Sequence, residues 1–232
     1  MEVKKEVPTI ETKVELLGGS GFHILKVQLA PNKTLIVEPG AMACQDSRID
    51  VATRVNGGFF SALLMKFLGQ ESFFINDYRN PTTTPLEFYL SQSTPGEIIQ
   101  RELNGETLYL QAGSFIARTS GVQGRLSYAG FASLFAGEGL FRLAFSGKGR
   151  VWYGSYGGVV EKEIVGDYIA DSGHLLSYPP TIKLSLRLAG GWISSFLSQE
   201  GFVLKLKGEG KIQLQTRSVK GLAQWLNPRF WG

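Results

Sequence analysis

Three glycines, Gly40, Gly113 and Gly173, are each followed seventeen residues later by another: Gly57, Gly130 and Gly190. Each of the first three closes an apolar segment with an acid or amide two places earlier: Leu35-Ile-Val-Glu38-Pro-Gly40, Leu108-Tyr-Leu-Gln111-Ala-Gly113 and Tyr168-Ile-Ala-Asp171-Ser-Gly173. An apolar pair follows in every case: Ala41-Met42, Phe115-Ile116 and Leu175-Leu176. A recurring offset of this kind is the mark of an internal repeat, and it restricts the fold more than any composition does. The units run over about residues 14–85, 86–153 and 154–226, inside one compact domain covering 1–232.

The last part of units two and three matches at an offset of 61 residues. Phe141-x-Leu-x-Phe-x-Gly147-x-Gly149-x-Val-x-Tyr153 lies over Phe202-x-Leu-x-Leu-x-Gly208-x-Gly210-x-Ile-x-Leu214. Alternation with a period of two means half-buried strands. The paired glycines predict a tight turn between two such strands. Unit one has a proline-bounded loop, Asn80-Pro-Thr-Thr-Thr-Pro85, in their place. The 29 glycines also suit many short strands joined by turns. A small sheet cannot bury its apolar face alone, whereas three stacked units can. The expectation is an all-β body, a short double-stranded β-helix or sandwich, with pseudo-threefold symmetry and short apolar insertions that form either short helices or hairpins.

Those insertions follow the second set of glycines. They hold Phe59, Phe60, Leu63, Leu64 and Phe67 in unit one, Phe131, Leu134 and Phe135 in unit two, and Trp192, Ile193, Phe196 and Leu197 in unit three. Burying these side chains is worth on the order of 20 kcal/mol, so they do not belong in water. Either they fold back into the monomer's core or they form a patch for another subunit, a membrane surface or a protein partner. Each insertion ends near a glutamate: Glu71, Glu138 or Glu200. Three carboxylates around a threefold axis could hold a divalent cation, or each could close its own insertion.

Charge is unevenly spread. Residues 202–232 carry Lys205, Lys207, Lys211, Arg217, Lys220 and Arg229 against Glu209, a net of +5 in a chain whose total is +4. Such an end attracts RNA or anionic lipid, or simply solvates a strand face. Trp225, Phe230 and Trp231 could stack on bases, or could close the end of the β-body.

Enzymatic readings find little support. One cysteine, Cys44, and two histidines, His23 and His174, exclude an internal disulfide framework and a Cys/His zinc site, and fit a reducing compartment. No Walker A loop, Gly-x-Gly-x-x-Gly, Gly-x-Ser-x-Gly or His-Glu-x-x-His occurs. Gly154-Ser-Tyr-Gly-Gly158 precedes an alternating segment, which makes it a turn rather than a phosphate cradle. Asp171 and His174 lie close in sequence, yet Asp171 shares its repeat position with Glu38 and Gln111, which suits a turn acceptor better than a catalyst. No cofactor is implied. The charged N-terminus predicts no secretory signal and no run of about 20 apolar residues predicts a membrane span, so the expected location is cytoplasmic, including the membrane periphery.

Gly154-Ser-Tyr-Gly157, Asp171-Ser-Gly-His174, Gly190-Gly-Trp-Ile-Ser-Ser-Phe-Leu-Ser-Gln-Glu-Gly201 and Leu214-Gln-Thr-Arg217 resemble the altered-inheritance-of-mitochondria protein 24 family, over about residues 14–226. The resemblance implies a fold similar to three tandem units of the tryptophan RNA-binding attenuation protein (TRAP). It implies no catalytic residue. A fungal member is associated with the mitochondrial inner membrane, a location that the absence of a presequence does not carry over. The function expected is that of a non-enzymatic oligomeric scaffold or interaction protein acting through its apolar tips. The alternative is a nucleic-acid, small-ligand or ion binder using the basic end or the pseudo-axis.

Overall fold

The structure, a computed structural model, describes residues 11–55, 74–128, 141–188 and 202–230. The apolar insertions and Glu71, Glu138 and Glu200 lie outside the described residues. Among the described residues the chain is all-β apart from one helix. In order come β1 (Lys13–Leu17), β2 (Ile24–Leu29), β3 (Thr34–Val37), β4 (Met42–Gln45), β5 (Asp50–Val55), β6 (Phe74–Arg79), β7 (Leu86–Leu90), β8 (Ile98–Asn104), β9 (Leu108–Leu110), β10 (Phe115–Thr119), β11 (Val122–Tyr128) and β12 (Phe141–Gly154). Then follow β13 (Val159–Ala170), a 3-10 turn (Ser172–His174), β14 (Leu175–Tyr178), β15 (Lys183–Leu188), β16 (Phe202–Gln215) and α1 (Val219–Phe230).

Among the described residues the strands form two sheets, and every strand pairing is antiparallel. β1-β2-β7-β4 make a four-stranded sheet. The larger sheet has twelve strands, following β13-β16-β14-β9-β12-β10-β3-β6-β5, with β8 and β11 also on β12 and β15 on β16. Alternation drives this layout: β2 and β7 bury every second side chain, Leu25, Val27 and Leu29 opposite Leu86, Phe88 and Leu90.

The paired glycines do not turn the chain as the sequence suggests. β12 and β16 each run through them as a single strand of 14 residues. Gly147, Gly149, Gly208 and Gly210 take φ of 109°, 142°, 139° and 151°, a region open to glycine and strained for other residues. There β12 bends and exchanges partners, from β11 along its first half to β8 along its second. A Cβ at Gly147 would strike the Gly121 carbonyl, so the bend is also too tight for a side chain.

The core falls into three clusters. Val27, Phe88, Leu90 and Trp152 centre the first, Phe115, Phe145, Leu110 and Tyr153 the second, and Ile164, Tyr178, Leu206 and Ile212 the third. Phe115 and Phe145 stack with centroids 4.9 Å apart.

Candidate functional site

The repeat positions are turns. Ala41 N donates to Glu38 O (3.2 Å), Ser114 N to Gln111 O (3.3 Å) and His174 N to Asp171 O (3.2 Å). The Asp171 carboxylate accepts from Gly173 N at 2.8 Å and so caps the 3-10 turn, while Gly40 and Gly113 take positive φ. Glu38 is half-buried, and desolvation pushes its carboxyl up to about 7. His174 Nδ1 lies 2.7 Å from the Gln215 carbonyl, and His23 Nδ1 accepts from Ile98 N at 3.2 Å. Both histidines are thus engaged with backbone.

The basic stretch is largely neutralised along β16. Lys205 pairs with Asp167 and Lys211 with Glu161, both acids supplied by β13, and Lys207 sits opposite Asp167 in the register. The cationic groups beyond the strand are Arg217, Lys220 and Arg229. Among the described residues no group of three or more His, Cys, Asp or Glu side chains could hold a metal ion.

α1 does not close the β-body. Ser218 caps it, its hydroxyl accepting from Gly221 N at 2.9 Å, and the helix then runs out exposed. Trp225 is 57% exposed and Phe230 75%, with Val219 and Leu222 exposed beside them. The Arg229 guanidinium lies over the Trp225 ring at 3.9 Å. The result is an uncovered helix carrying aromatics and cations, in a segment with no acid after Glu209.

Among the described residues, grooves cut the body at more than one place. One, of about 340 Å³, is lined by Arg101, Glu161, Ser177, Lys211 and Gln213 among others. Its polar groups satisfy one another: the Tyr153 hydroxyl (2.6 Å) and Ser177 hydroxyl (2.8 Å) donate to Gln213 Oε1, and Gln213 Nε2 donates to Glu161 (3.1 Å).

Another groove, of about 440 Å³, lies over β3, β5, β6, β10 and β11. Arg118 of β10 stands opposite Ile36 of β3, which stands opposite Asp77 of β6. Directly opposed residues share a face, so the three form a row across the sheet. Arg118 is only 5% exposed, and its guanidinium donates to Val122 O through one NH group. Burial first, and the like charge of Arg54 second, pull that guanidinium down to about 10, with Asp77 acting the other way. Arg118 therefore stays cationic at neutral pH. Arg54 Nε holds Asp77 Oδ2 at 2.7 Å. Arg118 Nε and Asp77 Oδ1 are buried without a hydrogen bond. Neither residue stands in a motif: Arg118 is the one arginine in Phe115-Ile-Ala-Arg-Thr119, and Asp77 lies in Phe74-Ile-Asn-Asp-Tyr-Arg79.

Fold and sites together define an all-β protein of long bent strands with a cationic helix appended. The profile described as mitochondrial biogenesis AIM24 matches residues 14–217, and the chain belongs to that family. It is 23% identical over 211 residues to an uncharacterized protein of Streptococcus pyogenes serotype M6, covering 87% of this chain and 84% of that one. A crystal structure of a Streptococcus pyogenes protein superposes with a TM-score of 0.77 at 20% identity, over 94% of this chain and 100% of that one. α1 begins at Val219, beyond the residues the family profile matches.

Proposed function

We propose that this chain is a non-catalytic interaction protein that attaches to an anionic lipid surface through α1. The observation that carries the reading is the uncovered helix face of Val219, Leu222, Trp225 and Phe230 beside Lys220 and Arg229. An amphipathic helix rich in cations and aromatics lies in the headgroup region, buried on its apolar side and drawn by negative lipid. At 12 residues α1 is about 18 Å long, so it lies on a bilayer and does not cross it. No helix among the described residues is long and apolar enough to span a membrane. Nucleic acid is less well supported, since Lys205 and Lys211 are already paired with β13.

The body that carries α1 is read as a triplicated unit of TRAP-like type. Three like pairings support this: β2 and β3 against β7 and β6, β8 and β9 against β12, and β13 against β16. Asn32, Gly105 and Gly166 take positive φ at corresponding places in the three. Glu38 N donates to Ile116 O and Gln111 N to Leu176 O, both at 2.9 Å, so unit one meets unit two as unit two meets unit three. Among the described residues β4 and β13 end their sheets, and strand edges of this kind favour self-assembly.

Vesicle flotation tests the attachment. The full chain is expected to float with phosphatidylserine-containing vesicles, to stay down with phosphatidylcholine alone, and to release as salt rises. Trp225→Ser with Phe230→Ser removes flotation while leaving the fold. Flotation of that double variant, or none of the wild type, overturns the reading. In that case a multiple of 25.5 kDa by light scattering, lost in the double variant, would assign the face to a second copy.

A further inference from the structure

We propose that the groove over β3, β6 and β10 binds a small carboxylate bearing a hydrogen-bond donor beside the carboxyl group, an α-hydroxy or α-amino acid, with Arg118 receiving the carboxylate and Asp77 the donor.

Two complementary buried groups lie in one row. Arg118 Nε–H is a buried donor without an acceptor, and Asp77 Oδ1 a buried acceptor without a donor. A buried polar group without a partner is destabilising, so a fold that keeps both beside one groove suggests a ligand that satisfies both. They cannot easily satisfy each other. Ile36 stands between them in the register, which sets their backbones two strand spacings, roughly 10 Å, apart. The other Asp77 oxygen is held by Arg54, and a second Arg118 group by Val122 O. A molecule lying over the apolar Ile36 side chain could reach both ends.

Charge selects the class. Arg54 and Arg118 against Asp77 leave the groove one positive charge in excess. A guanidinium favours a planar carboxylate, to which it can donate in parallel. A bare carboxylate would leave Asp77 Oδ1 unanswered, and a doubly charged phosphate would face the Asp77 carboxylate. A hydroxyl or ammonium next to the carboxyl answers that oxygen. Thr34, Ser120 and Gln123 add hydrogen-bonding groups around the opening.

The test is calorimetric titration of the full chain with L-malate, L-serine, acetate and inorganic phosphate, together with the NMR signal of the Arg118 Nε–H. Malate or serine is expected to bind one per chain, at least tenfold more tightly than acetate or phosphate, and to shift that signal. Asp77→Asn should keep carboxylate binding but shrink the advantage over acetate at least fivefold. Arg118→Gln should lose binding; if it fails to fold, the wild-type Nε–H signal still decides. Equal affinity for all four anions overturns the proposal, as does binding that leaves the Nε–H signal unmoved. Absence of binding by malate and serine also overturns it, leaving water as the partner of both orphans.

Discussion

Gly96 packs against the backbone of Ser155 with no room for a side chain: a Cβ there would collide with the Ser155 carbonyl. Gly96 also forms parallel bridges to both Phe22 and Gly157, so three segments meet at this residue. Ser155 is 1% exposed, and its hydroxyl donates to Gly157 O at 2.7 Å. The constraint is steric rather than conformational, since Gly96 is not among the positive-φ glycines. Gly96→Ala is expected to destabilise the protein by about 2–3 kcal/mol, as backbone must move to admit the methyl group. Gly40→Ala is the contrast. Its φ is 89° but nothing lies within 4 Å of the would-be Cβ, so the cost should be about 1–2 kcal/mol. Urea midpoints of the two variants check the order, and a milder Gly96→Ala would refute it.

Asn80 is fully buried and ties the proline-bounded loop to the sheet. Its amide donates to Leu29 O and Thr84 O, each at 2.8 Å, and its carbonyl oxygen accepts from Thr82 N (2.9 Å) and the Thr82 hydroxyl (2.8 Å). Asn80→Ala strips these bonds and strands the Leu29 carbonyl in the core. A loss of about 3 kcal/mol is expected from denaturant unfolding, since an orphaned buried group costs more than its bond was worth. A loss below about 1 kcal/mol would mean that water enters and takes over.

The alternation of β12 and β16, and the turns at Glu38, Gln111 and Asp171, were legible because period and turn chemistry are local. The continuation of β12 through Gly147 and Gly149 was not legible: paired glycines signal a turn, and only the change of partner from β11 to β8 explains why the strand runs on. Gly221 and Pro228 obscured α1, yet Ser218 as a cap and the spacing of Val219, Leu222 and Leu226 were readable as a helix. The basic stretch looked cationic because Glu161 and Asp167, which neutralise it, lie far away in sequence. Arg118 had no local signal at all. Its meaning depends on Asp77 and Arg54, which the sheet brings in from other strands.

Tyr153 and Gln213 belong to that same long-range class, joined by a 2.6 Å bond across the body. Tyr153→Phe should cost about 1 kcal/mol, because Ser177 still donates to Gln213 Oε1 and no acceptor is left bare. Gln213→Leu should cost more, as it strands the Tyr153 and Ser177 hydroxyls together. A double-mutant cycle between Tyr153→Phe and Gln213→Leu is expected to show coupling of about 1 kcal/mol, and additive effects would show the bond to be energetically idle.

Glu38 gives the protein a pH dependence of unusual direction. Its carboxyl titrates near 7 in the folded chain against a reference of 4.5, because desolvation disfavours the charged form. Between those values the folded state binds more protons than the unfolded one, so stability from this group falls as pH rises. It is fully present below about 4.5 and gone above about 7. Gln111 occupies the matching turn, where the main chain makes the same bonds beside a side chain that carries no charge to desolvate. Glu38→Gln should therefore raise stability at pH 8 and leave it little changed at pH 4. The measurement is the difference in unfolding free energy between variant and wild type across that range, which removes the contributions of all other titrating groups. A difference that stays flat with pH would place the Glu38 carboxylate in solvent.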